Sequence, residues 1–312
     1  MLVLSEVRTG LLRNSQPLTD DDARRVLALT LGVPVRTRER PIAYAEYSGR
    51  LTGVDCTLEV STGKRPRLVG VVSEKAFLTG GRILQASATV QVEPASSSGR
   101  RPWSYYIARP GIAETIGSFK IDAIQTGFLR ADEGAGLDLG SIAARVLDDV
   151  QHSNRLDGRQ PFRSNRTNLR WILEDPADGV DRIEFNVEKD ELRTLRISSS
   201  SVTPQNAAIL ATDVARHDWL LTSLLDLLRR SGLDDGMSPR VVNDLQPVVD
   251  HLLHLWMPAA RADDQLRGLW EQVDRASGFS RQWETQVARV RDQLQMYGIA
   301  MQRDSVAPRR SA

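Results

Sequence analysis

The chain has 312 residues, 41 of them basic and 40 acidic, for a formal net charge of +1 at pH 7. That length suits one large domain or two ordinary ones. A charge so near balance gives no overall field to draw in nucleic acid or an anionic membrane. Hydrophobic residues at 41% and charged residues at 26% are globular proportions, while aromatics at 5% predict a core poor in large rings. The single cysteine, Cys56, excludes an intramolecular disulfide and any multi-cysteine metal centre, and suits a reducing compartment. The opening Met1–Glu6 does not read as a signal peptide, and no run approaches the ~18 apolar residues of a membrane span, so a cytoplasmic location is expected. Only Lys64, Lys75, Lys120 and Lys189 are lysines. The arginine excess reads first as the codon bias of a GC-rich bacterium.

Leu2–Leu12 has strand-like apolar content. A short helix follows, capped by Thr19, with Asp20, Asp21 and Asp22 at its positive end and Val26, Leu27 and Leu29 on its apolar face. Pro34 and Pro41 bracket an extended stretch holding Arg36, Arg38 and Arg40. In Ile83–Val92, Leu84, Ala86, Ala88, Val90 and Val92 alternate with Gln85, Ser87, Thr89 and Gln91, which predicts a half-buried strand of an antiparallel sheet. Gly80-Gly81 predicts a tight hairpin turn back to Val69–Leu78, and Ser96–Arg101 a polar loop. Trp103–Ile124, broken by Pro110-Gly111, shows no dominant period. Ser141 is expected to cap a helix carrying Ile142, Val146, Leu147 and Val150. Strands are expected at Leu169–Leu173, Arg182–Val187 and Leu192–Ile197, with Asp178-Gly179 turning between the first two.

After the serine run Ser198–Ser201, which reads as a linker, the pattern becomes helical. Thr203-Pro204 is a start signal, and Leu210, Val214, His217, Leu221, Leu224 and Leu228 recur at spacings of four and three up to Gly232. Ser238-Pro239 repeats the signal for a stripe of Val241, Leu245, Val248, Leu252 and Leu255 that Pro247 should kink. Pro258 is expected to open a third helix, with Leu266, Leu269 and Val273, ending at Gly278. Ser280 opens a fourth, with Trp283, Val287, Val290, Leu294, Tyr297 and Met301. The expected architecture is therefore α+β: a mainly antiparallel, β-rich region over residues 1–200, an antiparallel helical bundle over 203–303, and a disordered tail over 304–312.

Motifs for chemistry are sparse. Gly63-Lys64 fails as a phosphate loop, because Leu58 stands at the first glycine position and Arg65 at the hydroxyl position. The glycines of Gly134–Gly140 open a helix but follow no buried strand, so they read as a loop and not a dinucleotide fingerprint. No Gly-x-Ser-x-Gly elbow is present, and Cys56 follows Asp55 with no histidine nearby in sequence. Adjacent carboxylates such as Asp148-Asp149 diverge on a helix and read as surface. His217, inside an apolar stripe, and the adjacent Asp218 are the candidates for catalysis, as in an enzyme of unrecognised class, weighed against a satisfied core histidine. His251 and His254 share a helix face as metal ligands must, but lack a third ligand, and a solvated face is the simpler reading. Two arginine groups are candidate binding residues. Arg100 and Arg101 precede Trp103, Tyr105 and Tyr106, which could anchor a partner protein. Arg163, Arg166 and Arg170 could hold a nucleotide or nucleic acid, a less favoured reading given the neutral total charge.

The segments Leu2–Arg8, Arg40–Tyr44, Leu51–Cys56, Leu78–Arg82, Leu137–Ile142 and His217–Leu221 together resemble an uncharacterised actinobacterial protein family. The resemblance runs to about residue 230 and fades in the last helices. Members of that family look to be encoded beside a variant P-loop protein and a SAM-dependent methyltransferase-like protein. It implies neither catalytic residues nor a cofactor. It does imply cooperation with products of neighbouring genes, and hence a non-enzymatic accessory or scaffold subunit whose partners are other proteins.

Overall fold

The computed structural model describes residues 1–58, 66–95, 97, 99–117, 121–130, 136–176, 178–187, 192–231 and 239–306. Gly63-Lys64, Gly134, Gly232, Ser238 and the last six residues of the tail lie outside them. The fold is mixed α/β. Nine strands, β1 (Leu2–Leu11), β2 (Arg36–Arg38), β3 (Tyr44–Thr57), β4 (Arg67–Thr79), β5 (Ile83–Pro94), β6 (Ile112–Ile116), β7 (Thr167–Glu174), β8 (Arg182–Val187) and β9 (Leu192–Ser198), form one sheet in the order β2-β3-β4-β6-β5-β1-β7-β9-β8. Eight helices accompany it among the described residues: α1 (Asp20–Leu27), α2 (Trp103–Ile107), α3 (Ile121–Arg130), α4 (Leu139–Gln151), α5 (Pro204–Ser231), α6 (Pro239–His251), α7 (Asp264–Ser277) and α8 (Phe279–Val306).

Strand β1 sits mid-sheet, antiparallel to β5 on one side and β7 on the other. Its alternation sends Leu2 and Leu4 toward α3 and α4, where they meet Ile124, Phe128, Leu139 and Ala143. Val3, Val7 and Leu11 face α5, beside Leu210, Val214 and Trp219. The sheet is thus covered on both faces. This changes the meaning of the alternation in β5: its polar face lies under α5. Gln85 is buried there and donates to Thr9 Oγ1 and to the Thr212 carbonyl of α5, both at 3.0 Å. Period two predicted the strand correctly, but a polar face can be buried when its hydrogen bonds are met inside.

The Gly80-Gly81 hairpin is present, with φ of +57° and +62° at the two glycines. Beyond it, β4 and β5 separate and β6 inserts between them, antiparallel to β4 at Arg67–Gly70 and parallel to β5 at Gln91–Pro94. This explains why Trp103–Ile124 shows no single period: it holds α2, β6 and the start of α3 in succession. The long strand β3 goes unpredicted because its outer half alternates between half-exposed and exposed residues, with no apolar rhythm.

Two helix starts also differ from expectation. Asp138, not Ser141, caps α4, accepting from Ser141 N at 2.8 Å. Asp263, not Pro258, starts α7, accepting from Leu266 N at 2.9 Å. Helix α6 continues through Pro247, and α8 runs to Val306. The serine run is a bonded corner: Ser199 is buried, its N–H donates to the Glu174 carbonyl at 3.0 Å, and its Oγ accepts from Val202 N at 3.2 Å. One hydrophobic core crosses that corner, from Val3 and Trp171 in the sheet through α5 to Leu245, Trp270 and Val290.

The insertion of β6 depends on Gly70, whose Cβ, if present, would fall within the backbone of Ala113. Gly70→Ala should therefore destabilise by about 1–3 kcal/mol, read as a lowered urea midpoint. An unchanged midpoint would show that β6 moves aside freely.

Candidate functional site

Helix α5 carries the histidine singled out in the sequence. His217 is fully buried. Its Nδ1 donates to the Asp213 carbonyl one turn back at 2.8 Å. Its ring meets Trp256 edge-on with centroids 4.8 Å apart and Trp270 at 4.9 Å, and Trp256 stacks on Trp283 at 4.3 Å. Three of the chain's six tryptophans thus gather at one imidazole. Beside it, Arg216 donates to Asp213 Oδ1 at 2.5 Å and to the Met257 carbonyl at 3.2 Å, while Asp213 Oδ2 accepts from Ala259 N at 3.0 Å. These contacts pin the segment between α6 and α7 onto α5 and hold Ala259 at φ 54°. Asp218 projects to the other side, where it pairs with Arg193 of β9 at 2.8 Å.

His217 and Asp218 therefore do not converge on a cleft. Burial pushes the imidazole down to about 4, with Arg216 adding to the shift and Asp213 opposing it. Burial raises Asp218 to about 6 against the pull of Arg193. A neutral, enclosed imidazole in a ring cluster has no substrate to receive a proton from, so its placement supports a structural role and weighs against the catalytic one.

The three spaced arginines separate in space. Arg170 is buried, donating to Glu6 Oε2 at 3.1 Å and to the Phe128 carbonyl at 2.9 Å. Arg166 pairs with Asp148 of α4 at 2.8 Å. Arg163 lies on the α5 side, exposed, its carbonyl accepting from Arg230 at 2.6 Å. Spacing in sequence gives no common binding face here, because the chain enters β7 across the edge between the two layers.

The second group does cluster. Arg100 lies 4.8 Å over the Trp103 ring and pairs with Asp55 at 3.0 Å, while Arg101 lies 5.8 Å over Tyr105. Tyr106 is buried, its hydroxyl accepting from Arg101 N at 3.1 Å, and Tyr105 donates to Glu114 at 2.6 Å. These bonds tie the α2 segment to β3 and β6. His251 and His254 receive no third ligand, and no group of three potential metal ligands occurs among the described residues. Arg82 Nη2 stands 3.2 Å from His251 Nδ1, and burial followed by that guanidinium holds both imidazoles below their ordinary values. A fixed positive neighbour opposes a metal cation at this place. No helix among the described residues is long and apolar enough to cross a membrane.

An apolar groove of about 450 Å³ lies between α5, the end of α6 and α8. Leu224 of α5 forms its floor, Val249 and Leu253 one wall, and Val287, Val290 and Leu294 of α8 the other. The sequence stripe of α6 omitted Val249 and Leu253. Val241, Val242, Leu245, Val248, Val249, Leu252 and Leu253 make a band wider than a single seam, and the excess width was the available signal. Beyond the groove, the distal part of α8 presents Met296, Ile299 and Met301 to solvent.

The burial of His217 has a measurable consequence. Its pKa is lower in the folded chain than in the unfolded one, so between about pH 6.5 and 4 the unfolded state binds the extra proton. Stability contributed at this position is therefore lost as pH falls through that window, by roughly 3 kcal/mol at full extent. The raised Asp218 acts in the opposite sense over nearly the same range. The difference in unfolding free energy between wild type and His217→Leu isolates the imidazole, since Asp218 is common to both, and it should shift in favour of the variant as pH falls from 7 to 4. A difference that stays constant with pH would mean that His217 takes up its proton as readily in the folded chain as in the unfolded one. The chain matches no protein-family model, no curated protein and no solved structure.

Proposed function

We propose that the protein is a non-enzymatic accessory subunit that joins an intracellular assembly of other proteins, with α5–α8 acting as a helical bundle that receives an amphipathic helix of a partner. The observation that carries the reading is the groove between α6 and α8 together with the unpacked end of α8. From Leu294 to Met301 the helix advances about 10 Å, with Met296, Ile299 and Met301 all exposed. A helix end of this length, bearing exposed apolar side chains and no opposing rod among the described residues, is marginal by itself. A partner helix laid along the groove would cover both surfaces at once, with anchors spaced as in other helix-in-groove complexes. Methionines adapt readily to such a surface. Arg291 and Gln295 at the rim supply polar contacts that would fix the partner's register.

The dispersal of His217, Asp218 and the candidate arginines supports this reading over an enzyme or a nucleotide binder working through those residues. The resemblance to the actinobacterial family makes neighbouring gene products the first partners to seek.

Tagged protein recovered from its native host should bring down at least one companion protein. Val249→Asp with Ile299→Asp, at positions already exposed, should leave the circular dichroism spectrum and melting midpoint intact while cutting recovery of the companion at least about tenfold. Recovery of the wild type as a lone monomer would contradict the proposal.

A further inference from the structure

A second concavity lies away from the groove, where the sheet extends past the N-terminal end of α5. It is a cleft of about 420 Å³. Its floor follows from register: Arg36 pairs with Glu46 and Arg38 with Tyr44, and Glu46 pairs in turn with Phe77. Period two therefore places Arg36 and Arg38 of β2, Tyr44 and Glu46 of β3, and Lys75 and Phe77 of β4 on one face. The first turns of α5 form a wall through Gln205, Ala208 and Ile209, and Arg261 leans in from the segment before α7.

The charge of this cleft is lopsided. Four cations line it against one carboxylate, Glu46, which pairs with Lys75 at 3.2 Å. Arg36, Arg38 and Arg261 form no ion pair with any described carboxylate. Arg261 is instead held by rings, 4.0 Å from the Tyr44 centroid and 5.8 Å from Phe77. The 28-residue α5 adds the positive end of its dipole, with Thr203 Oγ1 accepting from Asn206 N at 3.2 Å in its first turn. Protection of an edge strand would account for Arg36 and Arg38. It does not account for Arg261, which comes from another layer and whose charge also works against the buried Arg216.

A single carboxylate needs one arginine fork; a cleft holding this excess of cations suits several negative charges on one ligand. We propose that it binds a small phosphate-bearing molecule with two or more phosphoryl charges, held between Arg36, Arg38 and Lys75 on the floor and Arg261 on the wall. The volume suits a ligand up to about the size of a mononucleotide. The outer face of the Arg261 guanidinium is a surface on which a planar base can stack.

Isothermal titration of the full chain with inorganic pyrophosphate, with adenosine triphosphate and with single-stranded oligonucleotides of increasing length tests this. Pyrophosphate should bind at one site with a Kd below about 1 mM. Arg36→Gln with Arg38→Gln, and separately Arg261→Gln, should each weaken it at least about tenfold, while Arg182→Gln on β8, at the opposite edge of the sheet, leaves it unchanged. Tighter binding of the triphosphate would identify a nucleotide, and equal binding a phosphate group alone; either supports the proposal once the cleft variants lose it. No binding of either compound at millimolar concentration, equal affinity in the cleft variants and wild type, or affinity that grows with oligonucleotide length would overturn it. Melting midpoints of the variants, in which the exposed side chains of Arg36 and Arg38 form no ion pair among the described residues, establish that any loss is not unfolding.

Discussion

The structure depends on one helix being buried on two sides. Helix α5 lies across β1 and β7 on one face and against α6, α7 and α8 on the other, and from Leu210 to Leu221 every residue is buried. No single apolar stripe can satisfy such a position. The helix is buried all round over this stretch, although Thr212, Asp213, Arg216, His217 and Asp218 lie within it. Several of the polar groups this leaves inside are answered individually: Asp218 by Arg193 of the sheet, Trp219 Nε1 by the Asn165 carbonyl at 2.9 Å, the Thr212 carbonyl by Gln85, and Asp213 by Arg216 and Ala259 N. Leaving any of these unmet would cost about 1–3 kcal/mol. Together they fix the helix in one register against both layers.

That arrangement also places the two surfaces open to other molecules. The N-terminal end of α5 overhangs the sheet at β2–β4 and walls the basic cleft, while Leu224, five turns further on, floors the apolar groove. The asymmetry follows from the cover the sheet receives. Strands β1 and β7 lie under the middle of the helix, whereas β2 and β3 extend beyond its start and leave Arg36, Arg38 and Tyr44 lining open space. At the other end, α6 and α8 border the groove with no further helix between them among the described residues.

Much of this was legible in the residues. Alternation marked β5, and apolar content marked β1; Thr19 and Gly278 marked a helix start and stop; Thr203-Pro204 marked the start of α5. What sequence reasoning missed has physical causes. The serine run Ser198–Ser201 has linker composition, but its hydroxyls make a turn whose hydrogen bonds close on Glu174 and Asp181, so it joins two layers of one core. His217 stood out because imidazole is polar, yet a cluster of tryptophans drawn from three later elements encloses it, and no local pattern announces that. The cleft combines Arg36 and Arg38 with Arg261, residues that share nothing in sequence and meet only because β2 reaches the open edge beyond α5. Arg163, Arg166 and Arg170 show the converse: close in the chain, they end on two sides of the sheet and inside it.

Native-state hydrogen exchange tests most directly the claim that α5 binds sheet and helices into one unit. Amides of α5 between Val214 and Leu221 and amides of β1 between Leu4 and Val7 should exchange with the same opening free energy and the same dependence on denaturant, through global unfolding alone. If α5–α8 exchange through a smaller opening while β1 stays protected, the sheet and the helices are separate units and the account fails.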